Sequence, residues 1–127
     1  MAKERTALTK GRIEKAKVPP GTGQIMLWDA IVSGFGVRCL PGGRKTFVFR
    51  YRPLGGGRSV NPRLLKLGAF PSISLDAARD VARIHAGDVA KGKDPAQERT
   101  EQRRRNRARI HKFRHELTRV LQVLLKS

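Results

Sequence analysis

Two β-rich runs on either side of a four-residue turn constrain this chain more than any other feature. Gly34–Leu40 reads GFGVRCL, Lys45–Arg52 reads KTFVFRYR, and Pro41-Gly42-Gly43-Arg44 joins them. Proline presets φ at the start of a turn and glycine supplies positive φ without steric cost, so this pair predicts an antiparallel hairpin. Side chains alternate between the two faces of a strand. By that rule Phe35, Val37 and Cys39 share one face with Phe47, Phe49 and Tyr51. Arg38, Thr46, Val48, Arg50 and Arg52 point the other way, with Arg44 and Lys45 at the rim and Arg58 on the loop beside them. One face is aromatic and apolar; the other is mostly basic.

The flanking segments complete a small domain. Arg63–Leu67 (RLLKL) reads as a third strand stopped by Gly68, and Gln24–Asp29 (QIMLWD) as a short strand with a helix as the alternative. Ser74 is placed to cap a helix whose first turn holds Asp76, which complements the macrodipole. Leu75, Ala78, Val81, Ala82, His85 and Val89 then recur at helical spacing, and Gly92 marks its end. The alanines let that helix lie close to the aromatic face, while Gly87 inside it costs about 1 kcal/mol relative to Ala. Thr9 caps a short helix over Lys10–Lys17, stopped by Pro19-Pro20. Asp94-Pro95 opens a second long helix. Its first half has no apolar stripe; its second carries Ile110, Phe113, Leu117, Val120, Leu121 and Leu124. The fold class expected is α+β: a short N-terminal helix, a three-stranded antiparallel sheet with the optional fourth strand, one packed helix and a basic helical tail. Residues 1–95 form the domain and 96–127 the tail.

Charge points to the partner. The 127 residues carry 28 Lys+Arg against 10 Asp+Glu, a formal net charge of +18. From Ala30 to Leu75 there is no acidic residue, while eight basic ones occur, at 38, 44, 45, 50, 52, 58, 63 and 66. A solvated sheet face would use both signs of charge. A single sign over such a stretch implies a polyanion, nucleic acid ahead of an anionic membrane surface. A small sheet fits the major groove of B-DNA, where outward arginines reach guanine O6/N7 or phosphate. The run Arg103-Arg104-Arg105-Asn106-Arg107-Ala108-Arg109 suits RNA or DNA phosphates, or equally a solvated linker helix.

Other chemistry finds no footing in the sequence. Cys39 is alone, so neither a disulfide nor a cysteine metal site forms within one chain. His111 and His115 stand four apart, but no third ligand accompanies them, and they read as surface histidines. His85 on the helix stripe reads as a packed histidine. Trp28 and Phe47 read as core anchors rather than base-stacking platforms, and Tyr51 as a packed strand residue rather than a nucleophile. Gly55-Gly56-Gly57 lacks the G-K-[ST] of a phosphate loop. No apolar run spans a membrane and no signal peptide opens the chain. The expectation is therefore a cytoplasmic, nucleoid-associated protein without catalytic residues, metal, cofactor or small-molecule substrate.

The order of short signposts resembles a known family. Leu8-Thr9 opens the series and Pro19-Pro20 follows, then Asp29 ahead of Gly34-Phe35-Gly36-Val37-Arg38. Gly42-Gly43-Arg44-Lys45, Phe47–Arg52 and Gly57-Arg58 come next. Leu67-Gly68-Ala69-Phe70-Pro71, Ser74-Leu75, Ala78-Arg79 and Gly92-Lys93-Asp94-Pro95 complete it. This succession, over residues 8 to about 100, resembles the N-terminal arm-type DNA-binding domain of phage-type tyrosine recombinases, the integrases of prophages and genomic islands. The resemblance implies a small sheet with a packed helix that binds arm sites on double-stranded DNA away from the crossover. It implies DNA contacts at Arg38, Lys45, Arg50, Arg52 and Arg58, with Thr46 as a hydrogen-bonding partner; its place at the rim of the basic face adds Arg44. Such integrases continue into a core-binding and a catalytic domain, whereas the residues from about Arg103 do not resemble the start of the core-binding domain. The chain thus looks like a truncated or frameshifted integrase product, and no strand cleavage is expected of it. Two rivals remain: an RNA-binding accessory protein using the arginine-rich tail, and an interaction module whose tail helix self-associates or docks on a helper protein.

Overall fold

The computed structural model describes residues 6–53 and 60–126. The elements follow in the order α1 (Lys10–Lys15), β1 (Ile25–Trp28), β2 (Phe35–Cys39), β3 (Lys45–Tyr51), β4 (Arg63–Phe70), α2 (Leu75–Ala90) and α3 (Pro95–Lys126). The four strands form one antiparallel sheet in sequence order. The expected three-stranded sheet is thus corrected to four: QIMLWD is strand, and Ile25–Trp28 pairs with Cys39–Gly36. A short run of Leu, Met and Trp carries no period of its own, so only its pairing with β2 decides the matter.

The hairpin closes through Leu40 N–H to the Arg44 carbonyl (2.9 Å) and Gly43 N–H to the Leu40 carbonyl (3.0 Å), with Gly43 at φ 88°. Its register pairs Phe35 with Phe49, Val37 with Phe47 and Arg38 with Thr46. Directly paired residues share a face, which puts Phe35, Val37, Cys39, Phe47, Phe49 and Tyr51 on one side.

β4 runs past Gly68 to Phe70. A bulge accommodates this: Val48 pairs with Lys66 and Phe47 with Gly68, so Leu67 is the extra residue. Gly68 passes so close to Ile73 that a Cβ there would lie 2.8 Å from its Cγ2. The glycine therefore permits a close approach instead of ending the strand.

α2 covers the aromatic face. The Ser74 hydroxyl accepts the Ala77 N–H at 3.1 Å, satisfying one of the helix's orphan donors. Ala78 and Ala82, both fully buried, are its contact stripe. Beneath them Phe35 stacks on Phe47 at 5.7 Å, Phe47 meets Phe70 edge-on at 6.0 Å, and Phe49 stacks on Tyr51 at 5.6 Å. The imidazole of His85 lies 6.5 Å from the Phe49 ring.

The N-terminal segment is tied on by a buried carboxylate. Asp29, 1% exposed, accepts the N–H groups of Leu8 (2.9 Å) and Val32 (3.1 Å) and both Nε and Nη2 of Arg79 (3.1 Å each). Arg79 also donates to the Leu8 carbonyl at 2.6 Å. Burial pushes the Asp29 carboxyl up, but Arg79 and the two amides outweigh it and hold its pKa below the ordinary value. Burial pushes the Cys39 thiol up, opposed by the Lys45 charge.

Met1–Pro95 and Ala96–Ser127 are separate compact units. The second is the single helix α3, whose Ile110, Phe113, Leu117, Val120, Leu121 and Leu124 are each 49–64% exposed. His111 and His115 are exposed on it with ring centroids 6.1 Å apart. Among the described residues no cluster of three metal-ligating side chains occurs, and no helix is long and apolar enough to cross a membrane.

Candidate nucleic-acid interface

The face of the sheet turned away from α2 is ordered in cross-strand rows. Met26, Arg38, Thr46 and Ala69 form the first, and Trp28, Gly36, Val48 and Lys66 the second. In the third, Arg50 stands opposite Leu64 and donates its backbone N–H to the Gly34 carbonyl at 2.8 Å. Alternate residues on a strand are about 6.8 Å apart, twice the rise per residue. Each row therefore offers one cation, Arg38, Lys66 or Arg50, and no row holds a carboxylate.

Gly36 makes the second row possible. A Cβ there would lie 2.7 Å from the Leu27 carbonyl oxygen and 2.7 Å from Cε3 of Trp28. The indole thus occupies the space that a side chain at 36 would fill. Trp28 is half-buried on the open face, which corrects its reading as a core anchor. Phe47, by contrast, is fully buried on the α2 side. Val48 in the same row as Trp28 is also fully buried, so the open face has an apolar floor and is less uniformly basic than alternation alone suggests.

The cations expected to act together are only partly brought together. Arg38 and Arg50 share the open face, Arg38 half-buried and Arg50 exposed, with the half-buried Thr46 beside Arg38. The Arg38 Nε is buried and has no acceptor among the described residues, leaving a donor that carries a desolvation cost. Arg52 is exposed just beyond β3, beside Arg50 along a hollow of about 550 Å³ that Trp28 and Pro62 also line. Arg44 is exposed in the hairpin turn. Lys45 is not at the rim of this face. It pairs with Cys39 and Phe70 on the α2 side, and its Nζ donates to the Glu14 carbonyl of α1 at 3.1 Å. Arg63 is likewise withdrawn: it pairs with Tyr51, and its Nε lies 3.3 Å from Asp94. The Tyr51 hydroxyl donates to the same Asp94, so the phenol is held in a structural cluster. Arg58 and Gly55–Gly57 lie outside the described residues.

Sequence reasoning missed Met26, Trp28, Leu64 and Lys66 as members of this face. Each is placed by a pairing register that alternation within one strand cannot supply. The advance signals were the 24–29 strand option, which puts Met26 and Trp28 on a common side, and the strand over Arg63–Leu67, which does the same for Leu64 and Lys66.

No curated protein matches the chain. A family model described as "Arm DNA-binding domain" matches residues 8–102.

Proposed function

The chain belongs to the arm-type DNA-binding domain family found in phage integrases, and from that premise we propose that it binds double-stranded DNA by laying the open face of its sheet in the major groove. The module is non-catalytic and its partner is DNA. The observation that carries the groove reading is the row pattern: three cations in three successive rows, with no carboxylate among them. The contact set follows from placement. Arg38, Thr46, Arg50 and Lys66 lie on the face, and Arg44 and Arg52 at its ends. Lys45 reaches DNA only by leaving the α1 carbonyl. Arg58, outside the described residues, joins the set by its charge and sequence position.

In this reading the protein is an integrase-derived binding module of a prophage-type tyrosine recombinase, and it associates with the nucleoid through DNA. A second reading concerns α3 alone. Its exposed stripe, with Phe113 and Leu124 each 64% exposed, supports self-association through that helix.

A salt titration of duplex binding by fluorescence anisotropy tests the proposal. Neutralising about 5 phosphates gives a slope of log K against log salt near −4.5. Affinity indifferent to salt, or a preference for structured RNA over duplex DNA of equal length, overturns it.

A further inference from the structure

We infer that the apolar side chains around Arg50 read thymine methyl groups, so that the target contains a guanine with thymine at a fixed neighbouring position. This rests on the duplex-binding reading and adds what the sheet recognises. Met26, Trp28, Arg50, Pro62 and Leu64 line a shallow hollow of about 300 Å³ on the open face. Leu64 is 39% exposed there, although it stands in a strand. Leu64 and Arg50 are direct partners across β3 and β4, which sets their Cβ atoms about 5 Å apart.

The major groove matches that arrangement chemically. Guanine presents O6 and N7 to a guanidinium, and thymine is the only base to present a methyl group. Successive bases on one strand are about 3.4 Å apart. An arginine and a leucine about 5 Å apart at Cβ therefore reach adjacent steps, one by hydrogen bonds and one by apolar contact. Phosphate binding alone would have no use for exposed leucine and half-buried methionine and tryptophan beside the cation. The lack of any carboxylate in the three rows fits a polyanionic occupant, and not the mixed charges of a protein partner.

The experiment uses the full chain and a pool of randomised duplexes. Bound duplexes are sequenced, and the enriched duplex is resynthesised with deoxyuridine in place of each thymidine in turn, which removes one methyl group. The expected result is an enriched guanine with thymine at a fixed offset. Replacing that thymine by uracil weakens binding about fourfold, the transfer worth of one buried methylene, with the salt slope unchanged. Leu64→Ala binds the thymine duplex as weakly as the parent binds the uracil duplex, and no longer distinguishes the two. Met26→Ala narrows the same ratio. The base exchange is made in the parent protein, so it does not depend on how any variant folds. Equal affinity of the parent for both duplexes overturns the inference while duplex binding stands. So does a Leu64→Ala variant that keeps the parent's thymine-to-uracil ratio. If no duplex binds at all, the function proposed above fails, and this inference fails with it.

Discussion

Arg50 is exposed while Phe49, one residue before it, is 3% exposed. The first faces the candidate groove surface; the second stacks on Tyr51 under α2. Substituting them should separate binding from folding. Arg50→Ala is expected to melt like the parent and to lose affinity. If the guanidinium contacts a base edge, the loss is about 1–3 kcal/mol with preference relaxed at one position. If it contacts phosphate, all sequences weaken alike and the salt slope becomes shallower by about one contact. Phe49→Ala is expected to cost about 3–5 kcal/mol of stability, and any lost affinity would follow from unfolding. Thermal melts and DNA titrations on both proteins check this. An Arg50→Ala protein that unfolds beside a parent-like Phe49→Ala protein would contradict the register itself, since a slip of one residue exchanges the faces.

At the scale of elements, the long-range ties are the part that the sequence hides. The hairpin, the Ser74 cap and the alanine stripe of α2 were legible because each rests on a local pattern: a turn between alternating runs, a capping hydroxyl, a 3.6-residue period. Two kinds of feature were not. The path of β4 through Gly68 depends on a bulge opposite Phe47 and Val48, and no residue within β4 announces it. The pairing of Asp29 with Arg79, 50 residues apart, joins α2 to the N-terminal segment and has no local signature. The same limit applied to the site: Arg38, Thr46 and Arg50 were legible from alternation, whereas Trp28 and Leu64 required a neighbouring strand, and the contacts of Lys45 with the Glu14 carbonyl and of Arg63 with Asp94 join residues 31 positions apart. The Asp29 cluster carries a pH prediction. Its folded carboxyl has a lowered pKa, so its contribution to stability is fully present above the unfolded value, about 3.9. That contribution is lost as pH falls through the folded value. Denaturant unfolding of the parent and of Asp29→Asn should differ by a constant amount at neutral pH, with the difference shrinking below about pH 4. A difference that persists unchanged in strong acid would show that the charge on Asp29 contributes nothing. Gly87 makes the opposite kind of prediction. It is exposed within α2, and a Cβ there meets nothing within 4 Å. Gly87→Ala should therefore stabilise the protein by about 1 kcal/mol, read as a higher denaturant midpoint at unchanged slope.

For the whole molecule, the question is how the charge divides between the two units. Residues 103–127 hold nine of the 28 basic residues and one of the ten acids, so removing them takes the net charge from +18 to +10. What remains, residues 1–102, includes the whole family match and every described row of the sheet. Its apolar surfaces satisfy one another: Phe35, Phe47 and Phe49 lie beneath Ala78 and Ala82, and all five are at most 3% exposed. From Gln102 to Lys126 every residue is exposed. Deleting 103–127 should therefore leave a cooperative thermal transition at nearly the parent's temperature. Loss of that transition would mean that the tail is part of the core. The binding outcome then divides the charge. The five cations assigned to the duplex besides the base-reading Arg50 (Arg38, Arg44, Arg52, Arg58 and Lys66) match the slope near −4.5 expected for about 5 phosphates. If the sheet alone holds the duplex, the shortened protein keeps that slope and the same preferred sequence. If the arginines at 103–109 also sit on phosphates, the full chain shows a steeper slope, by about 0.9 for each contact, with the preferred sequence unchanged, because phosphate contacts carry no base identity. Sedimentation of both proteins without DNA reads the remaining property of the tail. A full chain whose mass rises with concentration, beside a shortened one that stays monomeric, would assign self-association to the stripe of α3. Identical behaviour of the two would remove that role and leave the tail to its charge.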